Sequence, residues 1–365
     1  MIFSKKEWRL SELTLEITDY CLLSCMHCSS EASRRNSTQL PLQTIELVLD
    51  DLKRLGGTIV ELSGGEPLCH PDLSNIILHA KRLHLETRLF SCGISNLSQL
   101  QAETSSFRDK VKELKELGID KVFVTLHGSN EEMHNQISGE QSFGLTTGFI
   151  KELVRQQVFV GVHFVPVNPN FDNIDDLKEL CVRLGVKQIG LLRFVPQGRG
   201  RKNEDLLKLT GDQTEELTSL LAKEATKRGI VRVGRHLDFT FFVNKDHKPE
   251  PCIAGVSKCL VSPEGDVLPC PVFKGLDDFV AGNVKENKLQ DIWRDSPIFA
   301  KLREFDPKKI KGLCADCKFL GICRGRCPAQ RYYEWKNRYG AGALYMGPDP
   351  YCPRAAMQRR ASAIP

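Results

Sequence analysis

Short apolar segments alternate with segments of helical periodicity along the first two thirds of the chain. The apolar, β-branched segments predict six strands, at Leu13–Thr18, Thr58–Ser63, Glu86–Ser91, Lys121–Leu126, Val158–Val165 and Val186–Phe194. The segments between and after them predict helices, at Leu42–Leu55, Leu73–Leu83, Phe107–Leu117, Leu145–Gln156, Ile174–Leu184 and Thr214–Arg228. Several of these helices are expected to end where a glycine follows the last apolar residue, as at Gly118 and Gly185.

The alternation predicts an α/β fold built on a parallel sheet. Strands separated by helices pair in parallel through right-handed crossovers. Six strand–helix units without an evident seventh and eighth favour a partial (β/α)6 barrel, although the pattern alone does not separate a barrel from an open sheet. In both arrangements the chemistry is expected at the carboxyl ends of the strands.

The pattern changes at about Pro251, where periodicity weakens and Cys, Pro and Gly dominate. One helix is predicted from Leu289 to Phe305. The remaining apolar residues are too few for a large independent core, so bound metal is expected to supply much of the stability. We therefore predict two parts, a partial barrel over residues 1–235 and a Cys-rich part with a bridging region over residues 236–365.

Composition and charge narrow the function classes. The 365 residues carry a net charge of +5 that is spread along the chain, which gives no case for nucleic acid binding. No apolar run is long enough to span a membrane, and the N-terminus lacks the features of a secretory signal. The 14 cysteines are therefore expected to stay reduced in a cytoplasmic protein, where clustered thiols bind metal or perform redox chemistry.

Three cysteines form the motif Cys21-x3-Cys25-x2-Cys28 directly after the first predicted strand. Three thiolates on one short loop can ligate three irons of a [4Fe–4S] cluster, which normally takes four cysteines, and so leave one iron open. The alternative is a structural zinc site with His27 as the fourth ligand. The motif alone favours the cluster without excluding zinc.

The second predicted strand ends in the sequence Gly64-Gly65-Glu66-Pro67. Glycines permit a close approach of the backbone, and exposed carbonyl groups at a strand end can receive an ammonium group. An ordinary turn explains an isolated motif of this kind. Here, however, the strand ends that carry the cysteine loop and this turn are neighbours in a parallel barrel.

Together, the cysteine motif and Gly64–Pro67 resemble the radical S-adenosylmethionine (SAM) superfamily. The resemblance implies that the open iron chelates the amino and carboxylate groups of SAM. It further implies reductive cleavage to methionine and a 5′-deoxyadenosyl radical, which abstracts a hydrogen atom from the substrate. Gly64, Gly65, Glu66 and Pro67 would hold the methionine ammonium, and His27 would pack near the adenine.

The eight cysteines between residues 252 and 352 resemble a SPASM auxiliary domain in their order and spacing. The segments Gly282-Asn283-Val284 and Leu289-x2-Ile292-Trp293 add to this resemblance, whereas a zinc ribbon accounts for single CxxC pairs only. The resemblance implies two further [4Fe–4S] clusters. One would be held by Cys252, Cys259, Cys270 and Cys327, and the other by Cys314, Cys317, Cys323 and Cys352.

Other residues at the predicted strand ends are candidate contacts for cofactor or substrate. They are Ser91, Thr125, His127, Asn168, Arg193 and Gln197. A buried, hydrogen-bonded polar residue is the alternative for each of them. Cys92 is a candidate hydrogen-atom donor or a spare buried thiol, and Cys69 and Cys181 are expected to be packing residues.

Two features depart from the family or are unexplained by it. The family often has an arginine after strand four that pairs with the SAM carboxylate, and Ser138 stands at that position, so the partner of the carboxylate is open. The basic segment Gly198–Asn203 (GRGRKN) is either a solvated loop or an anion-binding loop.

The leading function is the modification of a peptide or protein, as a cross-link, oxidation or epimerisation. A small-molecule dehydrogenase or epimerase, acting on an amino sugar or nucleoside, is the second possibility, and a non-enzymatic zinc or redox module is the third. A radical SAM enzyme needs an electron donor of the flavodoxin or ferredoxin type. Because the barrel is predicted to begin by Leu13, a leader peptide is expected to need a separate recognition protein or the barrel mouth itself.

Overall fold

The computed structural model describes residues 8–101, 107–225, 229–235, 237–242 and 244–355. All six predicted strands are present within two or three residues of their expected ends, and short strands follow them. The strands are β1 (Glu12–Thr18), β2 (Ile59–Gly64), β3 (Glu86–Ser91), β4 (Lys121–Thr125), β5 (Val160–Phe164), β6 (Gln188–Leu191), β7 (Val231–Val233), β8 (Lys258–Val261), β9 (Asp266–Leu268), β10 (Gly282–Asn283), β11 (Lys311–Gly312) and β12 (Met346–Gly347).

The helices that separate β1 to β7 cover the predicted helical segments. They are α1 (Leu42–Arg54), α2 (Leu73–Arg82), α3 (Leu97–Gln101), α4 (Arg108–Glu116), α5 (Glu131–Ser138), α6 (Phe143–Arg155), α7 (Ile174–Leu184), α8 (Arg199–Lys202), α9 (Glu204–Leu207) and α10 (Gly211–Ala225). The last residues of the predicted helix Thr214–Arg228 lie outside the described residues. The short helices α3, α5, α8 and α9 were not predicted.

The α/β prediction is confirmed. A ten-stranded sheet has the order β10-β9-β8-β1-β2-β3-β4-β5-β6-β7. Strands β1 to β7 pair in parallel in sequence order, which is the arrangement of a partial barrel. Strand β8 pairs in parallel with β1, so the hairpin that begins the Cys-rich part extends the barrel sheet at its β1 edge.

The Cys-rich part differs from its prediction in two respects. The expected helix Leu289–Phe305 is two helices, α11 (Leu289–Asp295) and α12 (Pro297–Arg303), because Pro297 cannot continue a helix and instead begins the second one. Two further helices were not predicted, α13 (Leu320–Cys323) and α14 (Pro328–Tyr339).

This part has a hydrophobic core of its own, where the sequence analysis expected too few apolar residues for a large one. The core contains Cys270 and Cys327, which are at most 8% exposed. Its other buried members are Ala254, Leu260, Leu268, Phe273, Leu276, Phe279, Leu302, Ala329, Tyr332, Ala343 and Leu344. Two of the proposed iron ligands are therefore placed by apolar packing.

Within the described ranges, no helix is both long enough and apolar enough to cross a membrane. The division between residues 235 and 236 remains a proposal, because the sheet continues from one part into the other.

Candidate active site

A cavity of about 570 Å³ opens at the carboxyl ends of the barrel strands. Its wall brings together residues that the sequence analysis predicted from separate strand ends. These are Cys21, Cys25, His27, Cys28, Gly64, Gly65, Glu66, Ser91, Cys92, Thr125, His127 and Arg193. The Cys-rich part closes one side of this cavity with Pro271 and Lys274.

The three N-terminal cysteines lie on a loop, residues 21–28, that we call the cluster-binding loop. The end of helix α5 holds this loop through the backbone. Ser24 N–H donates to the Ser138 carbonyl at 3.1 Å, and Met26 N–H donates to the Ile137 carbonyl at 2.9 Å. The loop closes on itself where Cys28 N–H donates to the Cys25 carbonyl at 3.1 Å. Three thiols therefore face one cavity from a backbone fixed at several points.

The Gly64-Gly65 turn lies directly against the end of strand β1 and the two residues that lead into the cluster-binding loop. A Cβ atom on Gly64 would lie 2.2 Å from the Thr18 carbonyl oxygen, and one on Gly65 would lie 2.1 Å from that of Tyr20. Neither position admits a side chain. The Gly65 carbonyl oxygen accepts no hydrogen bond from the described residues, which leaves it as an acceptor for an ammonium group at the cavity wall.

The Glu66 side chain is buried and organises the turn. Its carboxylate accepts hydrogen bonds from Leu68 N–H at 3.0 Å, Ser91 Oγ at 2.7 Å and Cys92 N–H at 2.7 Å. Burial raises the pKa of Glu66, although these hydrogen bonds oppose the shift. Glu66 therefore ties the ends of β2 and β3 together beneath the cluster-binding loop.

The Cys92 thiol lies beside Cys21. This interaction and burial raise the pKa of Cys92 well above its usual value. A protonated thiol on the cavity wall is what a hydrogen-atom donor requires, and that role stays a prediction.

His27 and His127 form a buried pair beside the cysteines. His27 Nε2 lies 3.1 Å from His127 Nδ1, and His127 Nε2 lies 3.6 Å from the Cys25 sulfur. Burial lowers the pKa of His27 to about 4 and that of His127 well below its usual value. Both rings are neutral at physiological pH and add no positive charge to the site.

Three predicted contacts lie off the cavity wall. Pro67 is buried at the start of a 3₁₀ turn, so it shapes the backbone rather than contacting a cofactor. Asn168 is exposed and accepts a hydrogen bond from Gln213 Nε2 at 3.0 Å. Gln197 donates to the Val272 and Lys274 carbonyls and joins the barrel to the Cys-rich part.

Two buried ion pairs on the cavity wall were missed by the sequence analysis. Lys258 Nζ lies 2.6 Å from Glu61, which also accepts a hydrogen bond from Thr14 at 2.7 Å. Lys274 Nζ lies 2.6 Å from Glu16. Charged residues inside otherwise apolar strands, such as Glu16 in β1 and Glu61 in β2, are the signal that could have revealed them.

Seven of the eight C-terminal cysteines fall into two groups. Burial and the charges of Cys252 and Cys327 raise the pKa of Cys270. In the second group, electrostatic interactions connect Cys314 with Cys317, Cys352 with Cys314, and Cys323 with Cys352. This grouping follows the two predicted ligand sets, except for Cys259. No three of the described ligand-type side chains stand close enough to hold a bare metal ion.

Cys259 stands apart because it lies within strand β8, opposite Leu13 of β1. Neighbouring side chains on a strand point to opposite faces. Lys258 lines the cavity, so Cys259 points away from it, into the hydrophobic core of the barrel. The charges that act on its thiol come from Lys258 and Arg303.

This placement predicts unequal effects on iron content. Anaerobically reconstituted protein is expected to carry about twelve iron and twelve sulfide, the content of three four-iron clusters. Cys270→Ala is expected to lose about four iron, whereas Cys259→Ala is expected to lose less. Iron and sulfide analysis of the two variants measures the difference. An equal loss of iron in the two variants would show that Cys259 is a cluster ligand in the same way as Cys270.

Comparison with known protein families agrees with this arrangement. Residues 15–184 match the model of the radical SAM superfamily, and residues 252–318 match that of the SPASM iron–sulfur cluster-binding domain. The chain belongs to the radical SAM superfamily. A radical SAM domain binds a [4Fe–4S] cluster and SAM, and a SPASM domain binds additional iron–sulfur clusters.

Curated relatives match most of this radical SAM chain. Mycofactocin maturase MftC of Mycolicibacterium smegmatis is 28% identical over 348 residues, covering 93% of this chain and 82% of the relative. The AdoMet-dependent heme synthase of Methanosarcina barkeri is 26% identical, covering 92% and 94%. The PqqA peptide cyclase of Gluconobacter oxydans is 28% identical, covering 80% and 79%.

Among solved structures, the fold is similar to that of Streptococcus suis SuiB bound to precursor peptide SuiA. The TM-score is 0.72 at 19% identity, and the match covers 95% of this chain and 76% of SuiB.

The residues on the cavity wall fit the cofactors of a radical SAM enzyme. Cys21, Cys25 and Cys28 present three thiols, which is one fewer than a four-iron cluster has irons. The Gly65 carbonyl supplies an acceptor beside them, and the neutral ring of His27 offers a surface for a base. We propose these residues as the cluster and SAM contacts.

Proposed function

We propose that this radical SAM enzyme modifies a peptide or protein substrate. The structural observation that carries the proposal is a pair of adjoining cavities. A second cavity of about 290 Å³ adjoins the first and shares Glu16, Ser29, Ser30 and Lys274 with it. The wall common to both includes the hydrogen-bonded side chains of Glu16, Ser30 and Lys274, between the barrel and the SPASM domain. Adjoining cavities suit a chain-like substrate, which extends beyond the reacting residue, better than a compact one.

The comparisons support the same proposal. Two of the relatives are named as a maturase and a peptide cyclase, and SuiB is solved with a precursor peptide. By analogy, the product here would be a cross-linked, oxidised or epimerised peptide.

The residues on the cavity wall would have different roles in the reaction. When bound, the N-terminal cluster and SAM supply the reductive cleavage whose radical product abstracts a substrate hydrogen. The Gly65 carbonyl would orient the methionine ammonium, and Glu66 would keep the turn in place. Cys92 holds a proton at its sulfur on the same wall. Lys274 and Pro271 of the SPASM domain line the cavity, so substrate would lie between the first and the auxiliary sites.

A small-molecule substrate is the second candidate. The observation that favours it is the AdoMet-dependent heme synthase, which matches 92% of this chain. We propose in either case a cytoplasmic enzyme with a flavodoxin- or ferredoxin-type electron donor. For a peptide substrate, a separate peptide-recognition protein is a possible further partner.

Narrowing the outer cavity separates the two candidates. Asp277 is exposed and lines the second cavity but not the first. Asp277→Trp is expected to raise the KM for a peptide roughly tenfold, which corresponds to about 1.4 kcal/mol, because the bulky ring obstructs the second cavity. Peptides encoded beside the gene are the substrates to assay, with modification followed by mass spectrometry under anaerobic conditions.

Glu286→Trp is the matched control, since Glu286 is an exposed acidic residue outside both cavities. SAM cleavage without substrate is expected to be the same in both variants. A small molecule that is turned over equally by both variants, with every peptide unchanged in mass, would contradict the peptide proposal.

A further inference from the structure

The basic segment Gly198–Asn203 packs on the cluster-binding loop and is not a solvated loop. Arg199 N–H donates to the Cys28 carbonyl at 3.0 Å, and Asn203 Nδ2 donates to the Met26 carbonyl at 3.1 Å. A Cβ atom on Gly198 would lie 2.8 Å from the Cys28 carbonyl oxygen, so the approach requires glycine. The segment therefore clamps the loop from the side of strand β6.

The Arg199 side chain continues this clamp and reaches the cavity. Its Nε donates to the Cys25 carbonyl at 3.0 Å, and Arg199 lines the cavity. Its positive charge acts on Cys21, Cys25 and His27. Because Nε is engaged with the loop, the edge formed by the two Nη atoms remains for a ligand.

Arg199 differs from the other cations of the cavity in having no carboxylate partner among the described residues. Each of the others is neutralised by an acidic side chain. The pairs are Arg88 with Glu86, Arg193 with Asp349, Lys258 with Glu61, and Lys274 with Glu16. Arg199 is therefore the cation of this cavity whose charge is available to the carboxylate of a ligand.

Ser138 cannot donate a hydrogen bond to a carboxylate in the cavity. It is fully buried and does not line the cavity wall. Its hydroxyl lies 2.9 Å from the Ser142 hydroxyl and donates to the Glu140 carbonyl at 2.9 Å. Its backbone supports the cluster-binding loop instead.

We propose that Arg199 binds the carboxylate group of SAM through its Nη edge while its Nε and backbone hold the cluster-binding loop. The proposal rests on the assignment of this cavity as the SAM site. Planar guanidinium groups bind carboxylates with two parallel hydrogen bonds, which a lysine cannot reproduce. The cation that the family often places after strand four is thus supplied from the segment after β6.

Ligand binding tests this role without turnover. Anaerobic protein with the oxidised cluster is dialysed to equilibrium against radiolabelled SAM or decarboxylated SAM, which keeps the ammonium and sulfonium groups but lacks the carboxylate. Arg199→Gln is expected to weaken SAM binding about 10- to 100-fold and to weaken binding of the decarboxylated compound much less. Arg199→Lys is expected to fall between Arg199→Gln and the natural protein.

Arg201→Gln is the matched control, because Arg201 belongs to the same segment but is exposed and pairs with Glu204 at 2.7 Å. It is expected to bind both compounds as the natural protein does. Equal weakening of both compounds by Arg199→Gln, or no weakening, would overturn the carboxylate role. If Arg199→Gln loses its iron, the Arg199→Lys variant decides. A preference for SAM over decarboxylated SAM as large as that of the natural protein would then overturn the carboxylate role. Neither outcome depends on whether the substrate is a peptide.

Discussion

Simultaneous replacement of Cys21, Cys25 and Cys28 by alanine is expected to abolish SAM cleavage and to leave about eight iron, the content of two four-iron clusters. The three thiols lie on one loop at the cavity wall, and the other proposed ligands lie beyond residue 251. Removing them takes every thiolate from the first cluster and none from the SPASM domain. Iron analysis and the formation of 5′-deoxyadenosine with dithionite measure the two effects.

Cys181→Ala provides the control for loss of a thiol as such. Cys181 is fully buried in helix α7 within the barrel core and does not line the cavity. Its replacement is expected to keep both the iron content and SAM cleavage. Formation of 5′-deoxyadenosine by the triple variant would show that SAM is cleaved elsewhere in the molecule.

The strands and the first cluster site could be predicted because their signals are local. Residues 21–28 lie within a single loop, and Gly64-Gly65 ends a strand whose neighbour is set by the parallel order. Alternating apolar segments define the strands, and the order of parallel strands follows from the crossover rule. Together these features place two motifs, 36 residues apart, on the same cavity wall.

The remaining features depend on contacts between distant parts of the chain. Nothing near Arg199 in the sequence shows that its backbone meets Cys28, and nothing near Lys258 identifies Glu61 as its partner. The alternation of strand β8 turns Cys259 away from the cavity, but that strand is only four residues long. Short elements that gain their stability from packing leave weak periodic signals.

The largest structural effect is expected at the buried pair of Arg193 and Asp349, which joins the barrel to the Cys-rich part of the chain. The two side chains are 5% and 2% exposed, and two hydrogen bonds of 2.9 and 2.7 Å connect them. Asp349 also accepts hydrogen bonds from Cys327 N–H and Tyr351 N–H. Asp349→Ala removes the carboxylate that faces the buried Arg193 guanidinium, and we expect a loss of about 3–5 kcal/mol of folding free energy.

Because the Asp349 carboxylate holds the backbone N–H groups of Cys327 and of Tyr351, the residue before Cys352, both auxiliary sites are expected to lose iron in Asp349→Ala. Urea denaturation and iron analysis measure the two effects. Glu152→Ala removes a more exposed Arg155–Glu152 pair and is expected to cost much less folding free energy, because solvent screens exposed ion pairs. The double variant Arg193→Met/Asp349→Leu removes both charges, so it is expected to recover part of the folding free energy but not the auxiliary iron. Equal stability of Asp349→Ala and Glu152→Ala would show that the pair does not join the two parts of the molecule.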